Sequence, residues 1–186
     1  FKEQAWLVKD FVGEGTLVEV VGKVKKGKST LVYQLVKSCI DGTDFLGRAA
    51  QRTPVVLLTE QMNQSLKSTL VRGGLLGSPD LHVLTKAGLR SAGGWEKSIR
   101  AAVAHCEAVG AKLLVVDTLS RLAGLTGDQE NKSSAVMALD VLSEAQAKGI
   151  ACLCVRHARK GTVGFDDDSA DMARGSSAIT GEMDII

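Results

Sequence analysis

Residues 16–39 constrain this chain more than any other stretch. "TLVEVVG" (16–22) is an apolar run ending in glycine, and Lys23, Val24, Lys25 and Lys26 then separate Gly22 from Gly27. Lys28 and Ser29 follow, and beyond them Leu31, Val32, Leu35, Val36 and Cys39 recur at helical spacing. An unbroken apolar run reads as a strand buried on both faces, and the later recurrence reads as a helix with one apolar face. A strand that passes through a glycine loop straight into a helix sends the chain back across the sheet. The next strand then lies parallel to the first.

The remainder repeats that plan. "TPVVLLTEQ" (53–61), "LHVLTK" (81–86), "KLLVVDTL" (112–119) and "IACLCVRH" (150–157) read as further strands. Helices are expected over "NQSLKSTLVRG", over 95–109 before Gly110, and over about 131–148 before Gly149. The expected fold class is therefore α/β, a three-layer parallel sheet flanked by helices on both sides. One domain is expected over 1–186, with 1–15 as a lead-in of weak helical rhythm. Both ends read as cut, because the chain starts at Phe1 and stops inside "EMDII". The segment 158–175 carries Gly161, Gly164 and consecutive aspartates without a period, and reads as a loop.

Composition narrows the functional classes. A net charge of +2 is too small to attract nucleic acid by itself, so any basic binding surface must be local. No apolar run reaches the roughly twenty residues that cross a bilayer, so no membrane partner is expected. Cys39, Cys106, Cys152 and Cys154 sit in apolar stretches without a disulfide pattern, which fits free thiols in a reducing, cytoplasmic setting. A zinc site of Cys152, Cys154 and His157 would want a second Cys/His pair at ligand spacing, and the sequence offers none.

Gly22 to Ser29 satisfies G-x-x-x-x-G-K-[ST]. Glycines let the backbone curl so that N–H groups point at phosphate oxygens, and the helix N-terminus adds positive potential. Lys28 would reach the β- and γ-phosphates and Ser29 would ligate Mg²⁺, with Thr30 a second hydroxyl. The alternative is a basic strand-to-helix turn; the strand before and the helix after favour a phosphate loop. Such a site also needs an acidic group near the metal and a group to orient water. Asp117 ends a buried strand, where open α/β sheets bind ligands, although it could simply cap the next segment. The residue after it is Thr118, not the glutamate many such enzymes carry there. Glu60, at the end of "VVLLTE", is the candidate base, against the alternative of a solvent-facing glutamate. His157 ends its strand in the same way, whereas His82 and His105 read as structural or exposed.

Together these residues resemble the RecA-like P-loop ATPases, and within them the branch of the hexameric replicative helicase RepA. The likeness runs through "VVGKVKKGKSTLVYQLVKSCIDGTDFLGR", "VVLLTEQ", "LLVVDTLSRLAGLTGDQEN", "VRHARKG" and "ARGSSAITGEMD", in that order. It implies ATP and Mg²⁺ as ligands, with Lys28 and Ser29 at the phosphates and metal and Asp117 as a direct or water-mediated metal partner. Glu60 is implied as catalytic base, His157 as γ-phosphate sensor and Arg174 as an arginine finger reaching a neighbouring subunit. Arg156, Arg159 and Lys160 are rivals for that last role. The implied assembly is a homo-oligomer, a hexameric ring, with single-stranded DNA as a partner. The expected activity is that of an ATPase motor, a DNA helicase in replication of a plasmid, phage or integrated element. The loops 120–131 and 158–175 are not basic overall, and Phe165 alone gives a poor stacking platform. A regulatory ATPase acting on a protein partner is therefore the second reading, and a P-loop kinase the third.

Overall fold

The computed structural model describes residues 3–23, 25–85, 87–88, 93–125 and 132–157. Its centre is a parallel sheet of β3 (Leu17–Gly22), β4 (Val55–Thr59), β5 (Leu81–Thr85), β6 (Leu113–Asp117) and β7 (Ala151–His157). The strand order is β3-β7-β6-β4-β5, and every neighbouring pair is parallel. The chain thus runs from β3 past two positions to β4, on to β5, and returns through β6 and β7 to the space left open.

Period-two alternation within each strand decides which helices each side chain meets. Val18, Val55, Leu57, Leu113, Val115, Leu153 and Val155 face one apolar cluster with α1 (Lys28–Asp41) and α2 (Asn63–Arg72). Val56, Leu58, Leu114, Val116, Cys152 and Cys154 face the other, with α3 (Trp95–Val109) and α5 (Lys132–Ala147). Both clusters are nearly closed to solvent, so the strands are apolar throughout because both faces are covered. Trp95 Nε1 donates to the Ala138 carbonyl at 3.0 Å, tying α3 to α5. This is the three-layer parallel architecture expected from the sequence.

Two local expectations are corrected. The lead-in is not helical: β1 (Trp6–Val8) and β2 (Val12–Gly13) form an antiparallel hairpin that turns at Asp10, φ 61°. The hairpin is held by residues far along the chain, with Gln51 N donating to Leu7 O at 2.7 Å and Lys9 N to Ala49 O at 3.0 Å. Leu7, Val8 and Val12 are buried there, so tertiary partners outweigh a weak local rhythm. The strand expected over 112–119 ends at Asp117, and Leu119 instead opens a short helix, α4 (Leu119–Leu122); four residues are too few to show a period. No described helix is long and apolar enough to cross a membrane.

Candidate nucleotide site

The parallel sheet gathers its polar strand ends on one edge. The register aligns Gly22 with His157, Val155 with Asp117, and Asp117 with Thr59, so the carboxyl ends of β3, β7, β6 and β4 form a continuous rim. Glu60 extends that rim, its backbone N donating to the Asp117 carbonyl at 3.0 Å. Alternation then sets direction. Asp117 shares a face with Leu113 and Val115, and His157 with Leu153 and Val155, which is the face covered by α1.

The glycine loop enters α1 at this rim. Gly27 is the helix cap at φ 84°, a left-handed conformation that a side chain would strain, and no side-chain group caps the helix. Lys25 also has positive φ, at 61°. A Cβ on Gly22 would stand 3.3 Å from Lys28 Cδ, so Gly22 leaves room for the lysine stem. Lys28 Nζ folds back over the loop and donates to Gly22 O at 2.7 Å and Lys23 O at 2.8 Å. The first turn of α1 carries no acidic residue, leaving its N-terminal field unopposed there. Lys23, Lys25 and Lys26 are exposed, as is Thr30, and only Lys28 is buried. Val24 and Arg174, with the rival cations Arg159 and Lys160, lie outside the described residues.

Ser29 Oγ donates to Asp117 Oδ2 at 3.2 Å. Tyr33 OH, one helical turn further, donates to the same oxygen at 3.2 Å. Gln61 Nε2 approaches Tyr33 OH at 3.4 Å and Asp117 Oδ2 at 3.5 Å. Glu60 Oε1 accepts from Thr118 Oγ1 at 3.4 Å, and its second oxygen pairs with Arg121 Nε at 3.4 Å. The peptide bond between Asp117 and Thr118 is cis.

Electrostatics follow from burial and these neighbours. Burial pushes the Asp117 carboxyl up, opposed by the Ser29 and Tyr33 hydrogen bonds and by the His157 and Lys28 charges. Burial lowers the Lys28 amine, against the pull of Asp117. Burial and then the Lys28 charge hold His157 below its usual value, against Asp117. Burial, with the Asp117 charge beside it, raises the Tyr33 phenol far above its usual range.

Oxygen donors of this kind suit Mg²⁺, a hard cation bound through few protein ligands beside substrate phosphates. The Ser29 hydroxyl and the Asp117 carboxylate already meet, so the residues present fit that ion. The structure therefore brings Lys28, Ser29, Asp117, Glu60 and His157 to one rim, the sheet edge expected from strand-end position. Arg156 goes elsewhere: one residue before His157, it points to the opposite face and pairs with Glu19, Nε to Oε1 at 2.7 Å, both almost wholly buried. It is not presented at the rim. Tyr33 and Gln61 were missed by sequence reasoning. The i, i+4 spacing of Tyr33 from Ser29 was the available signal, but without the strand order nothing showed what that face meets. His82 and His105 also meet, with ring nitrogens 3.0 Å apart between β5 and α3.

A family model described as an AAA domain matches residues 1–163. The crystal structure of a KaiC-like protein from the hyperthermophilic archaeon Pyrococcus horikoshii OT3 is similar at a TM-score of 0.58. That likeness covers 82% of this chain and 67% of the other at 19% identity, and it shows the shared fold, a parallel sheet flanked by helices. No curated protein matches the chain.

Proposed function

The chain belongs to the AAA domain family, and from that premise we propose that it hydrolyses ATP with Mg²⁺ at the carboxyl rim of its sheet, as one subunit of a ring-forming motor. The observation that carries this reading is the Ser29–Asp117 contact beside Lys28, which unites the phosphate loop with the strand-end acid.

Each residue has a task set by its place. Lys28 gives up the loop carbonyls and donates to the β- and γ-phosphate oxygens, while the loop N–H groups hold the rest of the phosphate chain. Ser29 and Asp117 hold the cation. Bound Mg²⁺ supplies neutralisation of charge on the phosphate oxygens. Glu60 accepts the proton of the attacking water, which Thr118 and Arg121 help it to do by fixing its carboxylate. His157, whose pKa is held below its usual value by burial and the Lys28 charge, hydrogen-bonds the γ-phosphate and registers its loss.

Ring assembly, the Arg174 finger and a helicase role in replication are supported by the ordered motifs that resemble the RepA branch. A finger supplied by a neighbour makes hydrolysis depend on assembly and contributes about 10³–10⁵ in rate where it acts. Mixing Arg174→Ala subunits with Lys28→Ala subunits tests this: recovered activity places the finger in trans, and none under subunit exchange removes it. A regulatory ATPase acting on a protein partner is the second reading. It is favoured by Asp166, Asp167, Asp168 and Asp171, which outnumber Arg159, Lys160 and Arg174 in the segment 158–175. ATPase rate with and without single-stranded DNA separates the two. Strong stimulation supports the motor, and indifference supports the regulator.

A further inference from the structure

Three side chains direct donors at one oxygen of Asp117: Ser29, Tyr33 and Gln61. Ser29 belongs to the phosphate loop motif; Tyr33 and Gln61 do not. Tyr33 is 1% exposed, and a buried phenol of this kind needs a partner for its hydroxyl. It finds a carboxylate, which makes the hydrogen bond charge-assisted. Gln61 then extends the chain of contacts outward. Its Nε2 donates to Tyr33 OH, its Oε1 accepts from Thr69 Oγ1 of α2 at 3.4 Å, and its backbone N donates to Thr59 Oγ1 at 3.1 Å. The Asp117 carboxylate is thereby braced from α1, through Tyr33, and from the loop that follows Glu60.

We propose that Tyr33 is a positioning residue for the metal–nucleotide site: its hydroxyl, steadied by Gln61, fixes the rotamer of Asp117 that meets Ser29. This rests on the reading that Ser29 and Asp117 hold Mg²⁺. An aspartate at a strand end has two freely turning side-chain bonds, and a carboxylate that swings away from Ser29 cannot share a cation with it. Partners that orient a metal ligand in this way are worth about 10–100-fold in metal affinity.

Tyr33→Phe removes one oxygen and keeps the ring that fills the core. The test is binding of a fluorescent ATP analogue, titrated with Mg²⁺ and repeated in EDTA. The Mg²⁺ concentration for half-maximal enhancement should rise about tenfold, with binding in EDTA unchanged. Gln61→Met, at a half-buried position, should shift the same midpoint in the same direction by less. If Tyr33→Phe does not fold, Gln61→Met decides by that titration. Unchanged midpoints in the variants overturn the proposal, as does an equal loss with and without metal, which marks a packing role only. Ser29→Ala separates this from failure of the underlying reading. A shift with Ser29→Ala but none with Tyr33→Phe sinks Tyr33 alone. A wild-type protein indifferent to Mg²⁺ sinks the metal reading and the proposal with it.

Discussion

Ser29 and Asp117 lie 88 positions apart in the chain, yet their side-chain oxygens stand 3.2 Å apart. One lies in the first turn of α1 and the other ends β6, and strand phase together with the position of the glycine loop brings them within reach. Asp117 is in phase with Leu113 and Val115, the side of the sheet that α1 covers. Ser29 sits at the α1 N-terminus, where the glycine loop rises from the same rim. A shift of one residue in β6 would turn the carboxylate to the opposite face.

Lys28→Ala removes the amine that bridges Gly22 and Lys23 and that would stabilise charge on the phosphates. Loss of one such preorganised donor costs about 10²–10³ in rate. ATPase assays should show at least that loss, and retained turnover would place the phosphate site elsewhere.

Glu60→Gln keeps the shape of the side chain and most of its contacts with Thr118 and Arg121 but cannot take a proton. The variant should bind ATP with near wild-type affinity while turnover falls about 10²–10⁴-fold. Equilibrium binding and single-turnover hydrolysis measured together check both halves, and normal turnover would assign the base to another group.

Arg156 and Glu19 form a buried ion pair between β7 and β3. Removing one partner leaves an uncompensated buried charge, which costs about 3–5 kcal/mol, whereas replacing both by apolar residues is often neutral. In urea denaturation, Arg156→Met should therefore be far less stable than the double variant Glu19→Leu with Arg156→Met. Equal stabilities would show that the two charges are not coupled.

Cys39 and Cys106 are buried, and burial pushes both thiols up from 9.0 to about 12. Cys152 and Cys154 are raised further by the same cause. Thiol reagents at pH 8 should label none of the four until the chain is unfolded, because so little thiolate exists in the fold. The sign for stability follows. Between pH 9 and 12 the unfolded chain has lost protons that the folded chain keeps, so stability falls as pH rises through that window. Thermal melts from pH 8 to 11 should show a steepening loss, and a flat profile would contradict the burial of these thiols.

Much of this site is legible before folding is considered. Gly22, Gly27, Lys28 and Ser29 are legible as a motif, since Gly27 caps α1 at positive φ, Gly22 leaves room for the Lys28 stem, and Lys28 and Ser29 are the cation and hydroxyl that a phosphate–metal site uses. The unbroken apolar strands announce a parallel sheet covered on both faces, and the polar residues ending them, Glu60, Asp117 and His157, mark its carboxyl rim. These are patterns within a few residues, and a few residues carry them. The structure alone decided which side chains meet. Arg156 and His157 are neighbours in sequence, but alternation sends one to Glu19 and the other to the rim, and the partner of Arg156 exists only because β7 pairs with β3. Tyr33 reaches Asp117 only because β6 comes to lie in the space between β3 and β4. The hairpin of β1 and β2 depends on residues 49–51, far beyond the reach of any local rhythm. Periodicity describes how a segment presents its faces; strand order and register decide what each face touches, and those are set by packing of the whole chain.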